Sequence, residues 1–81
     1  MREEEIKGII LEVLGKTAPE TDLDTLSPDR DLRKVLDIDS FDFLNVMIAL
    51  NEALGVEIPE SDYGKLNTIS GMLKYLSSRL N

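Results

Sequence analysis

Asp37-Ile38-Asp39-Ser40-Phe41-Asp42 gathers three carboxylates and a hydroxyl into six consecutive residues. Ser40 is the candidate nucleophile, but a serine hydroxyl reacts only when something removes its proton. The chain has no His and no Cys, which removes Ser-His and Cys-His pairs, imidazole metal sites and thiolate ligands. Any reaction at Ser40 therefore needs a base from another protein. Asp37, Asp39 and Ser40 have something of a calcium loop's acidic spacing, yet the loop glycine and the later bidentate Glu are missing, and a helix begins too early. Acid-base work by paired Asp and Glu would need a substrate cleft for which 81 residues leave little room. The expectation is a protein with no catalytic activity of its own and no bound metal.

Three helices must position this segment. Apolar residues Ile6, Ile9, Ile10, Val13 and Leu14 recur at helical spacing, predicting a helix from Glu3 to Leu14 with Glu3, Glu4 and Glu5 at its positive end and Gly15 as its left-handed cap. Asp39 can cap a second helix that starts at Ser40, carries Asp42 in its first turn and runs to Leu54 before Gly55 stops it. On it, Phe43, Val46, Met47, Leu50 and Leu54 share a core face with Ala53 beside them. Thr68 can cap a third, in which Ile69, Met72, Leu73, Leu76 and Leu80 keep the period.

Between the first two helices lies a long loop, residues 16–39, where Ser27-Pro28 resembles a helix start and Leu32, Val35 and Leu36 could form a turn or two pinned to the core. Leu23 and Leu26 anchor its earlier half. Val56, Ile58 and Pro59 read as an extended connection, and Glu60 to Leu66 as a short helix interrupted by Gly64. No alternating segment or hairpin signal supports a strand. The fold class is thus all-α: a small four-helix bundle, three main helices and one short, over a single domain spanning 1–81.

With 42% hydrophobic residues, two Phe, two Tyr and no Trp, the core is plain and aliphatic. MREEEIKGIILEVLG lacks a basic region followed by a long apolar run, so neither a secretory signal nor a membrane span is expected, and the default location is cytoplasmic. The net charge of −7 disfavours nucleic acid and anionic membranes. Between Lys34 and Lys65 there is no basic residue, while Asp37, Asp39, Asp42, Glu52, Glu57, Glu60 and Asp62 lie there, matching the whole net charge. One face is expected to be negative; the plainer reading is a solvated surface that keeps a small protein soluble.

The Asp-Ser-Phe segment at a loop-to-helix junction resembles the Asp-Ser-Leu attachment motif of acyl and peptidyl carrier proteins. Val46 to Leu50, the Glu57-Ile58-Pro59 triplet, and Thr68 opening a last helix through Tyr75-Leu76 occur at that family's usual spacing, so the resemblance covers essentially the full chain. It implies an acyl carrier protein whose Ser40 receives phosphopantetheine from coenzyme A, by way of a phosphopantetheinyl transferase and its metal ion. Read from the residue alone, Ser40 would be an ordinary helix start.

The resemblance further implies acyl-loading ligases or synthases as partners, the acidic run suits basic docking patches on them, and a monomer is the default. The expected docking residues are Asp37, Asp39, Phe41, Asp42, Leu44, Asn45, Ile48, Glu52 and Glu57. Phe41, Leu44 and Ile48 form a second apolar strip that one buried face does not require; its alternative is contact with the long loop or the short helix. Leu32, Leu36, Val46, Leu50, Ile58, Leu66 and Ile69 are candidates for an interior that admits an acyl chain, each methylene contributing about 0.8 kcal/mol, and core packing is their plainer role.

Phe41 stands where the family usually has Leu, Asn45 and Asn51 stand at often acidic positions, and Asp37 where glycine is common. These departures point to a specialised carrier rather than the general one of fatty acid synthesis. Polyketide, peptidyl and D-alanyl carriers use the same arm, and an unmodified acidic interaction module is the alternative of a different class.

Overall fold

The computed structural model describes residues 1–80. They form α1 (Glu3–Thr17), a short 3-10 turn (Leu23–Thr25), α2 (Leu32–Val35), α3 (Ser40–Leu54), a 3-10 helix (Glu60–Leu66) and α4 (Ile69–Leu80), and no strand occurs among the described residues. The architecture is the expected small helical bundle. Its core joins Ile6, Ile10, Val13 and Leu14 of α1 to Phe43, Val46, Met47 and Leu50 of α3 and to Ile69, Met72, Tyr75 and Leu76 of α4. Leu32, Leu36, Val56 and Leu66 close it from the connections. On α3, Leu54 is partly buried and packs against the core as the period suggests, whereas Ala53 beside it is exposed.

The ends of α3 follow local signals. Asp39 Oδ1 accepts from the Asp42 N–H at 2.8 Å and Asp42 Oδ2 accepts from the Asp39 N–H at 3.4 Å, a reciprocal cap. Gly55, at φ 69°, ends the helix in the left-handed conformation. Asn51 Nδ2 then donates to the Val56 carbonyl at 2.8 Å, tying the helix to the extended connection.

Two expected helix boundaries are displaced. Gly15 is not the cap of α1, which continues to Thr17; the stop comes from Pro19, which holds Ala18 in a non-helical conformation (φ −133°, ψ 70°). Leu23 lies over Gly15 instead, 3.6 Å from where a β-carbon would stand. Ser27-Pro28 does not open a helix either. The Pro28 carbonyl accepts from the Ser70 N–H at 2.9 Å, an otherwise unpaired donor in the first turn of α4, and Asp31 caps α2 through Arg33 N–H at 3.0 Å. With Leu32 N–H on the Asn67 carbonyl at 2.8 Å, the long loop is stitched to the start of α4.

The turn from α2 into α3 passes through Asp37 at φ 53°, the one non-glycine residue with positive φ among the described residues. A left-handed L-residue carries about 1–2 kcal/mol of strain, less for Asp. Asp37→Gly is therefore expected to raise stability, by up to about 1 kcal/mol, whereas Asp37→Val lowers it by about 1–2 kcal/mol. Urea midpoints at constant slope check both; a loss with Gly would mean that the carboxylate itself holds the turn.

The 3-10 helix, which runs through Gly64 without interruption, is latched to α4 by Asp62. Its Oδ2 accepts from the Tyr75 hydroxyl at 2.7 Å and from Arg79 Nη2 at 3.4 Å, and Lys65 Nζ lies 3.4 Å from Oδ1. The Tyr75 hydrogen bond is the largest influence holding the Asp62 carboxyl below its usual range; burial opposes it, and Lys65 and Arg79 reinforce it. Burial first, then the bond to Asp62, pushes the Tyr75 phenol up.

A depressed carboxylate contributes stability that is present above its unfolded pKa and lost as pH falls through its folded one. The raised phenol does the converse, its contribution disappearing as pH climbs through the folded value. Asp62→Asn should therefore be less stable than wild type near neutrality, with the gap closing between roughly pH 5 and pH 2. Thermal midpoints across that window measure it, and a gap independent of pH would contradict an ionised Asp62 at the latch.

Candidate functional site

Ser40 is the first residue of α3 and is exposed. The cap is made by Asp39, so the hydroxyl is not needed to start the helix. Among the described residues its hydrogen-bond partner is Arg33, whose Nη2 donates to Ser40 Oγ at 2.7 Å. A guanidinium stays protonated at any accessible pH and cannot take the hydroxyl proton. Ser40 thus has a cation on its oxygen.

Arg33 is held in place from two sides. It sits on the single turn of α2 capped by Asp31, and its guanidinium carbon lies 5.8 Å from the centroid of the Phe43 ring, in cation-π range. Phe43 in turn meets Tyr63 edge-on, with centroids 6.2 Å apart and planes at 73°. These side chains border a cleft of about 480 Å³ that opens beside Ser40 and is walled also by Phe41, Leu44, Gly64 and Asn67.

Phe41, Leu44 and Ile48 are 67%, 38% and 46% exposed, so neither the long loop nor the 3-10 helix covers the second strip of α3. Asp37, Asp39, Asn45, Glu52 and Glu57 are exposed as well, and Asp42, occupied by the cap, is partly buried. Asp62 is turned inward onto α4, which removes it from the acidic surface. The seven expected interior residues separate from the cleft: Leu32, Leu36, Val46, Leu50, Leu66 and Ile69 are buried and Ile58 is partly buried, yet none of them lines the space beside Ser40.

Arg33 and Tyr63 were not among the expected site residues. The backbone donors at the start of α3 are in part occupied, since Asp39 already holds the Asp42 N–H. Positive charge at the hydroxyl comes from Arg33.

An exposed serine thus stands at a helix entrance on a small helical bundle, with a cation on its oxygen. Residues 4–76 match the family described as phosphopantetheine attachment site. An acyl carrier protein of Lactobacillus johnsonii is 33% identical over all 81 residues, covering 100% of both chains. The solution structure of a protein assigned as an acyl carrier protein from Anaplasma phagocytophilum superposes with a TM-score of 0.88 at 30% identity, covering 100% of this chain and 94% of that one. The chain belongs to the phosphopantetheine-attachment family and, within it, to the acyl carrier proteins. The family's cofactor is covalent phosphopantetheine, and the residues present suit it: a projecting hydroxyl, a cation for its phosphate and a cleft alongside.

Proposed function

We propose that Ser40 is the residue that carries the phosphopantetheine arm. The observation that supports this most is the exposed Ser40 hydroxyl at the entrance of α3, held by Arg33 and not used by the helix cap. A phosphopantetheinyl transferase supplies the base. The Ser40 Oγ–P bond forms as a P–O bond of the coenzyme A pyrophosphate breaks, the nucleotide half leaves, and the hydroxyl proton passes to the transferase. When bound, the arm supplies a terminal thiol that holds acyl groups as thioesters. The protein's own part is to display Oγ, to keep Arg33 beside it and to present a face to partners.

That face comprises Asp37, Asp39, Asp42, Glu52 and Glu57 with Asn45 and the exposed Phe41, Leu44 and Ile48. It suits basic patches on loading ligases or synthases: carboxylates steer the encounter and the apolar strip contributes contact once water is displaced. The core around Leu32, Leu36, Val46, Leu50, Ile58, Leu66 and Ile69 admits a chain only if side chains shift, since these residues are packed in the unloaded protein.

The setting is cytoplasmic fatty acid or related lipid or polyketide synthesis, in a carrier with a dedicated partner. Asn51 supports this reading in part, because its amide is engaged with Val56 rather than offered to a partner. Intact mass spectrometry after incubation with coenzyme A and a promiscuous transferase tests the attachment. Binding to the host's fatty acid synthase enzymes tests the pathway; full activity with all of them would contradict a specialised carrier.

A further inference from the structure

Building on Ser40 as the attachment residue, we propose that Arg33 is the counter-ion of the phosphodiester, holding the phosphate at the root of the arm through the guanidinium that already rests on Ser40 Oγ. Phosphorus would bond to the very oxygen that Nη2 contacts at 2.7 Å, so the non-bridging phosphate oxygens fall within reach of the guanidinium without movement of the backbone. The planar fork of an Arg matches two phosphate oxygens at once, and such charge-assisted bonds are stronger than one to a neutral hydroxyl.

The electrostatics favour the same residue. Among the described residues the ion pairs involve Lys16, Lys65 and Arg79, and none involves Arg33, although Asp31 and Glu60 border the same cleft. Asp31 engages Arg33 through the backbone N–H and leaves the guanidinium unpaired. The carboxylates closest in sequence to Ser40 are Asp39 and Asp42, both anions at the helix entrance. A phosphodiester placed there adds a third negative charge, and Arg33 is the cation in contact with its attachment oxygen. Stacking on buried Phe43 keeps the guanidinium aimed before modification occurs. Arg33 is in this sense a positioning residue: it fixes where the flexible arm leaves the protein, at the mouth of the cleft.

The test uses the whole chain without partner enzymes. Wild type, Arg33→Gln and Arg33→Lys are modified with coenzyme A and a promiscuous transferase, and full conversion is verified by intact mass. Phosphorus NMR relaxation of each is then measured, together with the Arg33 Nε–H resonance of wild type before and after modification. The expected results are a downfield shift of that resonance on modification, and a phosphate that tumbles with the protein in wild type but reorients faster in Arg33→Gln. Arg33→Lys should fall between them, and added salt should bring wild type toward the Gln variant, because the exposed pair is screened. Identical phosphorus relaxation in fully modified wild type and Arg33→Gln, with no salt dependence, overturns the assignment of Arg33 while leaving Ser40 as the attachment point. Absence of the adduct from wild type overturns both.

Discussion

Ser40→Ala is expected to abolish phosphopantetheine uptake completely while leaving a folded helical protein. The two outcomes separate because of where the hydroxyl sits. The helix entrance is capped by Asp39 and the core face of α3 begins at Phe43, so removing Oγ costs only its exposed bond to Arg33. Exposed substitutions away from caps and cores usually change stability by no more than about 0.5 kcal/mol. Intact mass should show full conversion of wild type and none of the variant, with superimposable far-UV circular dichroism. An adduct retained on Ser40→Ala would place the arm on another hydroxyl. Ser70 and Ser78 are poorer candidates, since their hydroxyls are engaged with Asp29 and with the Tyr75 carbonyl.

Gly71→Ala should be the most damaging of the glycine substitutions, by about 1–3 kcal/mol. Ala is ordinarily the better helix former by about 1 kcal/mol, so the expected sign is reversed, and the reason is local. A β-carbon at Gly71 would overlap the backbone carbonyl oxygen of Lys65, which cannot rotate away, and would also crowd Thr68 Oγ1 at 3.0 Å. Thr68 is the cap of α4, its Oγ1 accepting from the Gly71 N–H at 2.9 Å, so relief by moving the chain would open the junction between the 3-10 helix and α4. Gly8 provides the control. It lies exposed inside α1 with nothing within 4 Å of a β-carbon, and Gly8→Ala should stabilise by up to about 1 kcal/mol. Urea denaturation of both variants checks the contrast; equal effects would mean that the Lys65 carbonyl shifts freely.

The extent of α3 was legible because both its signals are local: an Asp that can accept from its own first turn, and a Gly that can turn left-handed. The boundaries misread at Gly15 and at Ser27-Pro28 show the limit of such signals. Pro19 stops α1 by restricting its predecessor, and Pro28 contributes its carbonyl to α4, a partner 42 residues away in sequence for which no local pattern exists. The family was legible through the motif around Ser40, and the second strip of α3 through its period.

Arg33 was not legible. It reaches Ser40 from a separate helix by folding back across the left-handed turn at Asp37, so no periodicity within one element betrays the contact. What hinted at it was only its place at the edge of a long stretch free of bases. Tyr63 was missed for a similar reason: its edge-on contact with Phe43 depends on the packing of the 3-10 helix, which the sequence shows only as a short turn.

Phe41, Leu44 and Ile48 stand in open water along one helix, a line of oil that a second copy of the molecule could also cover. Bringing two such lines together would press Asp39, Glu52 and their neighbours against the same residues of the other copy, and like charges inside about 8 Å at physiological ionic strength are poorly screened. Ionisation therefore guards the strip against self-association while leaving it open to a cation-bearing surface. The protection fades as the solution approaches the isoelectric point near 4.4, where colloidal repulsion is gone and the greasy line remains.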